Sequence, residues 1–268
     1  MKVKIALCQM KVAAADPEAN LAKAEKFVAE AAAGGCTLIC FPEMWTTGFN
    51  WHFNASFAPD HGAVAARIGA LAAAGGLWIG GSFLELDERS RPANTFVLFD
   101  AQGRRAAVYR KTHLFTFMGE ERHMAAGERL TAVETPWGKT GLAVCYDLRF
   151  PELFRTYALS GVGLCLLPAA FPHPRLHHWR ILTRARAIEN QMFFAAVNQV
   201  GEEAIPRQGR TVYFGHSCII DPWGETLAEA GEDEETLVVA DIDLERVEEI
   251  RNRMRVLKDR RPELYRLS

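Results

Sequence analysis

Apolar runs that carry almost no charge, and that alternate with segments of helical period, constrain this chain more than any other feature. Residues 3–10, 37–41, 77–84, 140–145, 162–167 and 192–198 are apolar along nearly their whole length. A strand with one wet face alternates apolar and polar residues. A strand that is apolar throughout is buried on both faces, as in a sheet covered by helices. Between these runs, residues 17–33 carry Leu21, Ala24, Phe27 and Val28 at helical spacing and stop at Gly34-Gly35; residues 63–74 stop at Gly75-Gly76. Residues 151–159, 174–190 and 244–251 also read as helices. Residues 94–99 and 106–110 add strands, and 216–221 begins a hairpin that turns at Pro222-Trp223-Gly224 and ends near 237–241, so the sheets are mixed. The pattern predicts an α/β class: two mixed sheets packed face to face, helices outside, about a dozen strands in all.

The 268 residues exceed the ~100–200 of a usual domain. No fixed-period repeat and no low-complexity linker divides them, so residues 1–268 read as a single domain with a basic, irregular tail from about residue 252. The charge run 231–235 reads as a solvated turn before a strand. With 31 Lys+Arg against 33 Asp+Glu, nothing attracts nucleic acid or an anionic membrane. The uncharged run 68–84 holds five glycines and falls short of the ~20 apolar residues of a membrane helix. The first residues meet Lys11 too early for the apolar region of a signal peptide. Cys8, Cys36, Cys40, Cys145, Cys165 and Cys218 show no CxxC spacing and sit in apolar or mixed runs, which reads as reduced thiols in the cytoplasm.

Three of the apolar runs end alike. Thr-Leu-Ile-Cys-Phe-Pro leads into Glu43, Ala-Ala-Val-Tyr-Arg into Lys111, and Thr-Gly-Leu-Ala-Val into Cys145. In α/β sheets the carboxyl ends of strands are where ligands bind. A carboxylate, an ammonium and a thiol form a complete acyl-transfer set if they converge. A cysteine in such a place is most often a buried structural residue, a lone glutamate after a strand is usually solvated or capping, and a lysine is usually at the surface. Read functionally, Cys145 is the nucleophile, favoured as thiolate by a following helix whose first turn Pro151 suits. Glu43 is the general base, raised by burial toward the working range. Lys111, flanked by Leu114 and Phe115, faces the developing oxyanion together with the Tyr146 N–H; one such donor is worth roughly 3–4 kcal/mol in the transition state. Glu120, beside Glu121, reads either as part of a charged loop or as a second carboxylate positioning Lys111. His173, His177 and His178 lack the HExxH arrangement of a zinc site. No phosphate-binding glycine loop and no Gly-x-Ser-x-Gly elbow appears. A thiol oxidoreductase would want a resolving cysteine at CxxC spacing.

The segments 41–49 (Phe-Pro-Glu-Met-Trp-Thr-Thr-Gly-Phe), 109–115 (Tyr-Arg-Lys-Thr-His-Leu-Phe) and 141–152 (Gly-Leu-Ala-Val-Cys-Tyr-Asp-Leu-Arg-Phe-Pro-Glu) resemble the three signature blocks of the nitrilase superfamily of carbon–nitrogen hydrolases. The likeness extends to Ala-Arg-Ala-Ile-Glu-Asn-Gln at 185–191, the Asn198-x-x-Gly201 turn and Asp-Pro-Trp-Gly at 221–224. It implies a four-layer αββα sandwich, a Glu43–Lys111–Cys145 triad with Glu120 as a further glutamate, a thioester intermediate, no cofactor, and a homodimer or larger assembly with the helix after Cys145 and the C-terminal tail at the subunit interface. Within the superfamily the 41–49 block and the Lys111-to-Glu120 spacing look most like ω-amidases, which hydrolyse 2-oxoglutaramate and related ω-amides of dicarboxylic acids. Tyr146-Asp147 after the cysteine differs from the Trp-Glu of true nitrilases. An N-carbamoyl or other aliphatic amide hydrolase on the same triad, and a catalytically silent binding or scaffold protein of the same fold, are the alternatives. Phe115, Met118, Phe171 and Trp179 are candidate pocket walls. Arg175, Arg149 and Tyr146 are candidates to hold a substrate's distal carboxylate.

Overall fold

The computed structural model describes residues 2–205 and 209–265. Chain order runs β1 (Lys2–Gln9), α1 (Pro17–Ala33), β2 (Leu38–Cys40), α2 (Trp51–Phe57), α3 (His61–Gly75), β3 (Trp78–Leu86), β4 (Pro92–Phe99), β5 (Arg105–Arg110), β6 (Thr131–Thr135), β7 (Gly138–Leu142), α4 (Pro151–Leu159), β8 (Leu164–Ala169), α5 (Leu176–Asn190), β9 (Phe193–Asn198), β10 (Val200–Ile205), β11 (Gly209–Phe214), β12 (Cys218–Ile220), β13 (Thr226–Glu229), β14 (Thr236–Asp243) and α6 (Glu245–Arg253). One six-stranded sheet has the order β14-β1-β2-β3-β4-β5 and the other β13-β12-β9-β8-β7-β6, with β10-β11 a separate two-stranded ribbon.

Period-two alternation turns the double-sided apolar strands into layers. Val3, Ile5 and Leu7 of β1 join Leu38, Phe96 and Leu98 against Leu142, Leu164, Leu166 and Phe194 of the other sheet. The intervening Ala6 and Cys8, with Ile39, Ile79 and Val97, face the opposite way onto Leu21, Ala24 and Val28 of α1 and Ile68 and Ala72 of α3. The outer face of the second sheet takes Leu153, Phe154 and Tyr157 of α4 and Trp179 and Ala187 of α5. The result is helices, sheet, sheet, helices. Local chemistry sets the helix ends. Asp16 caps α1, its carboxylate accepting from the Ala19 N–H at 3.0 Å, and Pro17 occupies the first turn. Gly76, at φ +62°, closes α3 in the left-handed conformation that glycine adopts without a Cβ penalty. Gly141 lets α4 close on β7, because a Cβ there would meet the Tyr157 ring at 2.8 Å.

Two sequence expectations need correction. The hairpin at 216–241 does turn at 222–224, but β12 pairs with the short β13, and β14 crosses to the other sheet and pairs antiparallel with β1 from Lys2↔Asp243 to Gln9↔Thr236. The strand read as 140–145 ends at Leu142, and Cys145–Arg149 is a 3₁₀ turn; α4 starts at Pro151, as the sequence predicts. Residues 232–235 are exposed just before β14, as a solvated turn should be. All six cysteines are free and buried. Among the described residues no helix is long and apolar enough to cross a membrane.

Candidate active site

Glu43 leaves β2 through Phe41-Pro42 and crosses to the facing sheet, its N–H bonding the Ala169 carbonyl at the end of β8 at 3.4 Å. Lys111 leaves β5, its backbone N–H held by the Asn94 carbonyl of β4 at 3.0 Å. Glu120 opens a 3₁₀ turn after Gly119, which sits at φ +70°. Cys145 follows β7 with φ at +45°, a left-handed geometry that is strained for a residue with a Cβ. Glu43, Lys111, Glu120 and Cys145 line one narrow cavity with Phe49, Trp51, Phe115, Met118 and Ala170. Four residues far apart in the chain thus share one pocket.

The polar geometry is closed. Lys111 Nζ donates to Glu43 Oε1 at 2.7 Å and to Glu120 Oε2 at 2.8 Å, with all three side chains at most 2% exposed. Glu43 Oε2 accepts from the Ala170 N–H at 3.0 Å, and Glu120 Oε2 from the Phe115 N–H at 2.7 Å. Asn94 Nδ2 donates to Glu43 Oε1 at 2.8 Å and to Glu120 Oε1 at 3.4 Å. The Cys145 thiol lines the same cavity as the Glu43 carboxylate, and each group acts on the other's titration.

Burial acts on each charge differently, and the partners decide the sign. Burial opposes the Lys111 ammonium, but Glu120 and Glu43 outweigh it and hold the amine protonated well above the ordinary lysine range. Burial pushes the Glu43 carboxyl up and Lys111 pulls it back, with Glu120 adding repulsion, so it rests above the ordinary carboxylate range. Burial and the Glu43 charge push the Cys145 thiol well up, against the pull of Lys111. This corrects the expected thiolate: no α-helix begins at Cys145, and the sulfur rests as a thiol beside a carboxylate that can take its proton.

A third carboxylate knits the site from behind. Fully buried Asp147 accepts at Oδ2 from the Val144 N–H (2.8 Å) and the Tyr109 hydroxyl (2.7 Å). Its Oδ1 lies 2.7 Å from His113 Nδ1 and accepts from the His113 N–H (3.2 Å) and the Thr112 hydroxyl (3.3 Å). It therefore ties the residue before Cys145 to the residues after Lys111. Behind Phe49, buried Glu203 of β10 accepts from the Phe49 N–H at 2.7 Å and the Tyr213 hydroxyl at 3.1 Å.

Of the candidate walls, Phe115 and Met118 line the cavity, whereas Phe171 and Trp179 do not. Those two pack on each other at 5.5 Å and on Phe214, in the core, and Trp179 Nε1 donates to the His216 carbonyl at 2.8 Å. Half-buried Tyr146 follows the nucleophile, its ring 4.8 Å from that of Phe115. Arg149 turns to the Phe171 ring (5.3 Å) and His178. Arg175 lies over Phe115 and Phe117 at 5.6 and 5.4 Å, where burial, and then the like charge of Arg149, push its guanidinium below the ordinary arginine range. Among the described residues no group of three or more His, Cys, Asp or Glu is placed to hold a metal. Sequence reasoning missed Asn94, Asp147, Phe49, Trp51 and the Ala170 N–H. The one available signal was an asparagine, beside Thr95, in the largely apolar run of β4.

This chain is 36% identical over 266 residues to the 2-oxoglutaramate amidase of Bacillus subtilis (strain 168), covering 99% of this chain and 100% of the relative. It is 32% identical to the omega-amidase NIT2 of Mus musculus, with 98% and 96% covered. A mutant of the amidase from Nesterenkonia sp. AN1, solved with the acetamide moiety of fluoroacetamide added covalently at its active site cysteine, superposes with a TM-score of 0.86 at 28% identity, covering 98% of this chain and 95% of that one. The carbon-nitrogen hydrolase profile matches residues 4–252, and the chain belongs to that family.

Proposed function

We propose that the chain is a thiol-dependent amidase that hydrolyses a small ω-amide of the 2-oxoglutaramate or 2-oxosuccinamate type to the acid and ammonia, without a cofactor. The observation that carries this reading is the buried Glu120–Lys111–Glu43 chain ending on the Cys145 thiol in one cavity. Glu43 takes the thiol proton as Sγ attacks the amide carbon. The C=O π electrons move to oxygen, and the oxyanion is met by Lys111 Nζ and the Tyr146 N–H. As the tetrahedral species collapses, Glu43 returns its proton to the leaving nitrogen and ammonia departs, leaving a Cys145 thioester. Glu43 then deprotonates a water that attacks the thioester, and the acid leaves as the sulfur is reprotonated. Lys111, fixed between two carboxylates, stays charged throughout. Glu120 positions it.

For the distal carboxylate the reading selects Arg175. Its guanidinium has no ion pair or hydrogen bond among the described residues, is partly desolvated, and lies over Phe115, which lines the cavity. A cation left unpaired beside an apolar wall suits an anionic substrate group. The same reading carries a homodimer or larger assembly. Exposed Leu159 of α4, Ile181 and Ile188 of α5, and Met254, Leu264 and Tyr265 of the tail offer an apolar surface for a second copy. Six free buried thiols suit the cytoplasm.

Ammonia release over 2-oxoglutaramate, succinamate, N-carbamoyl amino acids and simple nitriles tests the substrate. Preference for the first two is expected, and turnover confined to carbamoyl compounds refutes it. Mass spectrometry of the enzyme trapped with a slow amide is expected to show an acyl adduct on the peptide containing Cys145, and Cys145→Ala is expected to stay folded and lose hydrolysis. Unchanged turnover in that variant refutes the mechanism.

A further inference from the structure

Asn94 stands apart from the four reactive residues and touches three of them. It lies on β4, between β3 and β5, so its main chain is fixed by ladders on both sides. Its carbonyl receives the Lys111 N–H at 3.0 Å. Its side chain, 1% exposed, donates through one nitrogen to Glu43 at 2.8 Å and to Glu120 at 3.4 Å. Its Oδ1 has no partner among the described residues. Turned over, the amide would set that oxygen against two carboxylates, so the donors fix the orientation. The two bonds are made at the expense of a buried acceptor left unpaired, which costs free energy elsewhere. The residue is therefore placed for its donors.

The need for donors follows from the charges. One ammonium faces two carboxylates in a site closed to water, so one negative charge is left over. The groups that bear on Glu43 come from every side: Lys111 after β5, Glu120 from its 3₁₀ turn, the Cys145 thiol, the Ala170 N–H after β8, and Tyr213 of β11. Lys111, the Cys145 thiol and two neutral amide donors, Asn94 and Ala170, favour the ionised form that a base requires, against burial and the Glu120 charge.

We propose that Asn94 is a positioning residue of this active site: by giving one proton of a single amide to each carboxylate, it spaces Glu43 and Glu120 around Lys111 and keeps Glu43 ionised to receive the Cys145 proton. The inference rests on Glu43 acting as the base, and the test separates the two. The probe is alkylation of Cys145 by iodoacetamide across pH, followed on the peptide containing Cys145 in the full-length enzyme, because it reads proton removal from the thiol and needs no particular amide. In the wild type the rate falls on the acid side as Glu43 protonates. One charge-assisted hydrogen bond corresponds to about one pH unit. Asn94→Leu, close in shape and without donors, is expected to move the acid limb up by about one unit and to slow alkylation below it ~tenfold, with the alkaline plateau kept. Should that variant fail to fold, Asn94→Asp, nearly the same in volume, is expected to move the limb at least as far, because it places a third carboxylate in the cluster. An acid limb that Glu43→Gln alters and that stays in place in the folded Asn94 variants overturns this inference alone. A profile that Glu43→Gln leaves unchanged overturns the base reading and this inference with it.

Discussion

Asp147→Asn is the sharpest test of how the nucleophile and the lysine are held together. The carboxylate spends one oxygen on the Val144 N–H and the Tyr109 hydroxyl, and the other on His113 and Thr112. An amide of the same shape has one acceptor and one donor. If its NH₂ faces the Oδ2 side it meets the Val144 N–H; if it faces the Oδ1 side it meets the His113 N–H. Either way one buried backbone donor loses its acceptor, which costs about 1–3 kcal/mol, and the bonds that remain lose a charged partner worth roughly 1 kcal/mol more. The sum, about 2–4 kcal/mol, is a large part of a net stability of about 5–15 kcal/mol. In a chain of this size it corresponds to a melting temperature lower by about 4–12 °C. The catalytic consequence comes from position. Val144 precedes Cys145 and His113 follows Lys111 by two residues, so relaxation on either side changes the distance from sulfur to ammonium. A displacement of about 1 Å can cost ~100-fold in rate. Thermal melts and steady-state kinetics on an amide substrate are expected to show both losses, with kcat falling far more than KM rises. A variant with wild-type melting and kcat within about twofold refutes the reasoning, since a cost of this size is a factor of ~30 or more in an equilibrium.

Arg175→Met is expected to raise KM for amides that carry a distal carboxylate by about 10–100-fold, the scale of one lost charge-assisted pair, while kcat/KM for a short neutral amide stays close to wild type; equal losses on both substrates would remove Arg175 from substrate selection. Trp179→Phe removes the bond to the His216 carbonyl from the core and is expected to cost about 1–3 kcal/mol in urea unfolding without altering substrate preference, whereas Phe115→Ala, at the cavity wall, is expected to alter preference. Hydrolysis is expected to decline as pH falls through the Glu43 value, which burial sets above the ordinary carboxylate range. The sign follows because the ionised form is the base, so acid removes it. A pH–rate profile flat down to ordinary carboxylate values would contradict that assignment.

The sequence showed the parts of this molecule whose burial is two-sided and hid those whose burial is one-sided. β1, β8 and β9 lie inside their sheets and are apolar on both faces, so composition alone marks them. β6 and β13 are edge strands of mixed burial, rich in Thr and Glu, and the ribbon β10–β11 is a two-stranded sheet of its own, joined to its surroundings by isolated bridges at Lys11↔Val200 and Pro172↔Tyr213; each looks like loop until its partner is known. β14 was visible as a strand, but which sheet it joined was not, because its apolar residues would suit either core. The site divides in the same way. Glu43, Lys111 and Cys145 are rare chemistry at strand ends, and residue type with place finds them. Asn94 and Asp147 act on groups 51 and 38 residues away, and neither side chain is unusual in itself.

The errors at Phe171 and Cys145 share a physical origin in local geometry that residue type does not encode. Ala170 gives its N–H to Glu43 and lines the cavity; one residue on, the chain has turned, and Phe171 points into Trp179 and Phe214. In extended chain a step of one residue reverses the side of the sheet, so aromatic character says that Phe171 is buried and nothing about what it is buried against. At Cys145 the left-handed turn is made by a residue with a Cβ, whereas glycine is the usual mark of such a turn. The turn fills the segment between Cys145 and α4, which starts at Pro151 as the sequence predicts, so no α-helix begins at the sulfur. What replaces a helix terminus is the Glu43 carboxylate on the same cavity, whose charge acts on the sulfur. A dipole would lower the thiol's pKa at all times, whereas in the mechanism we propose Glu43 leaves the sulfur protonated until a carbonyl arrives to accept its electrons, and then holds the proton for the leaving nitrogen. In that mechanism the strained turn and the buried carboxylate are two halves of one device: the first aims the sulfur, and the second makes it a nucleophile when the substrate is in place.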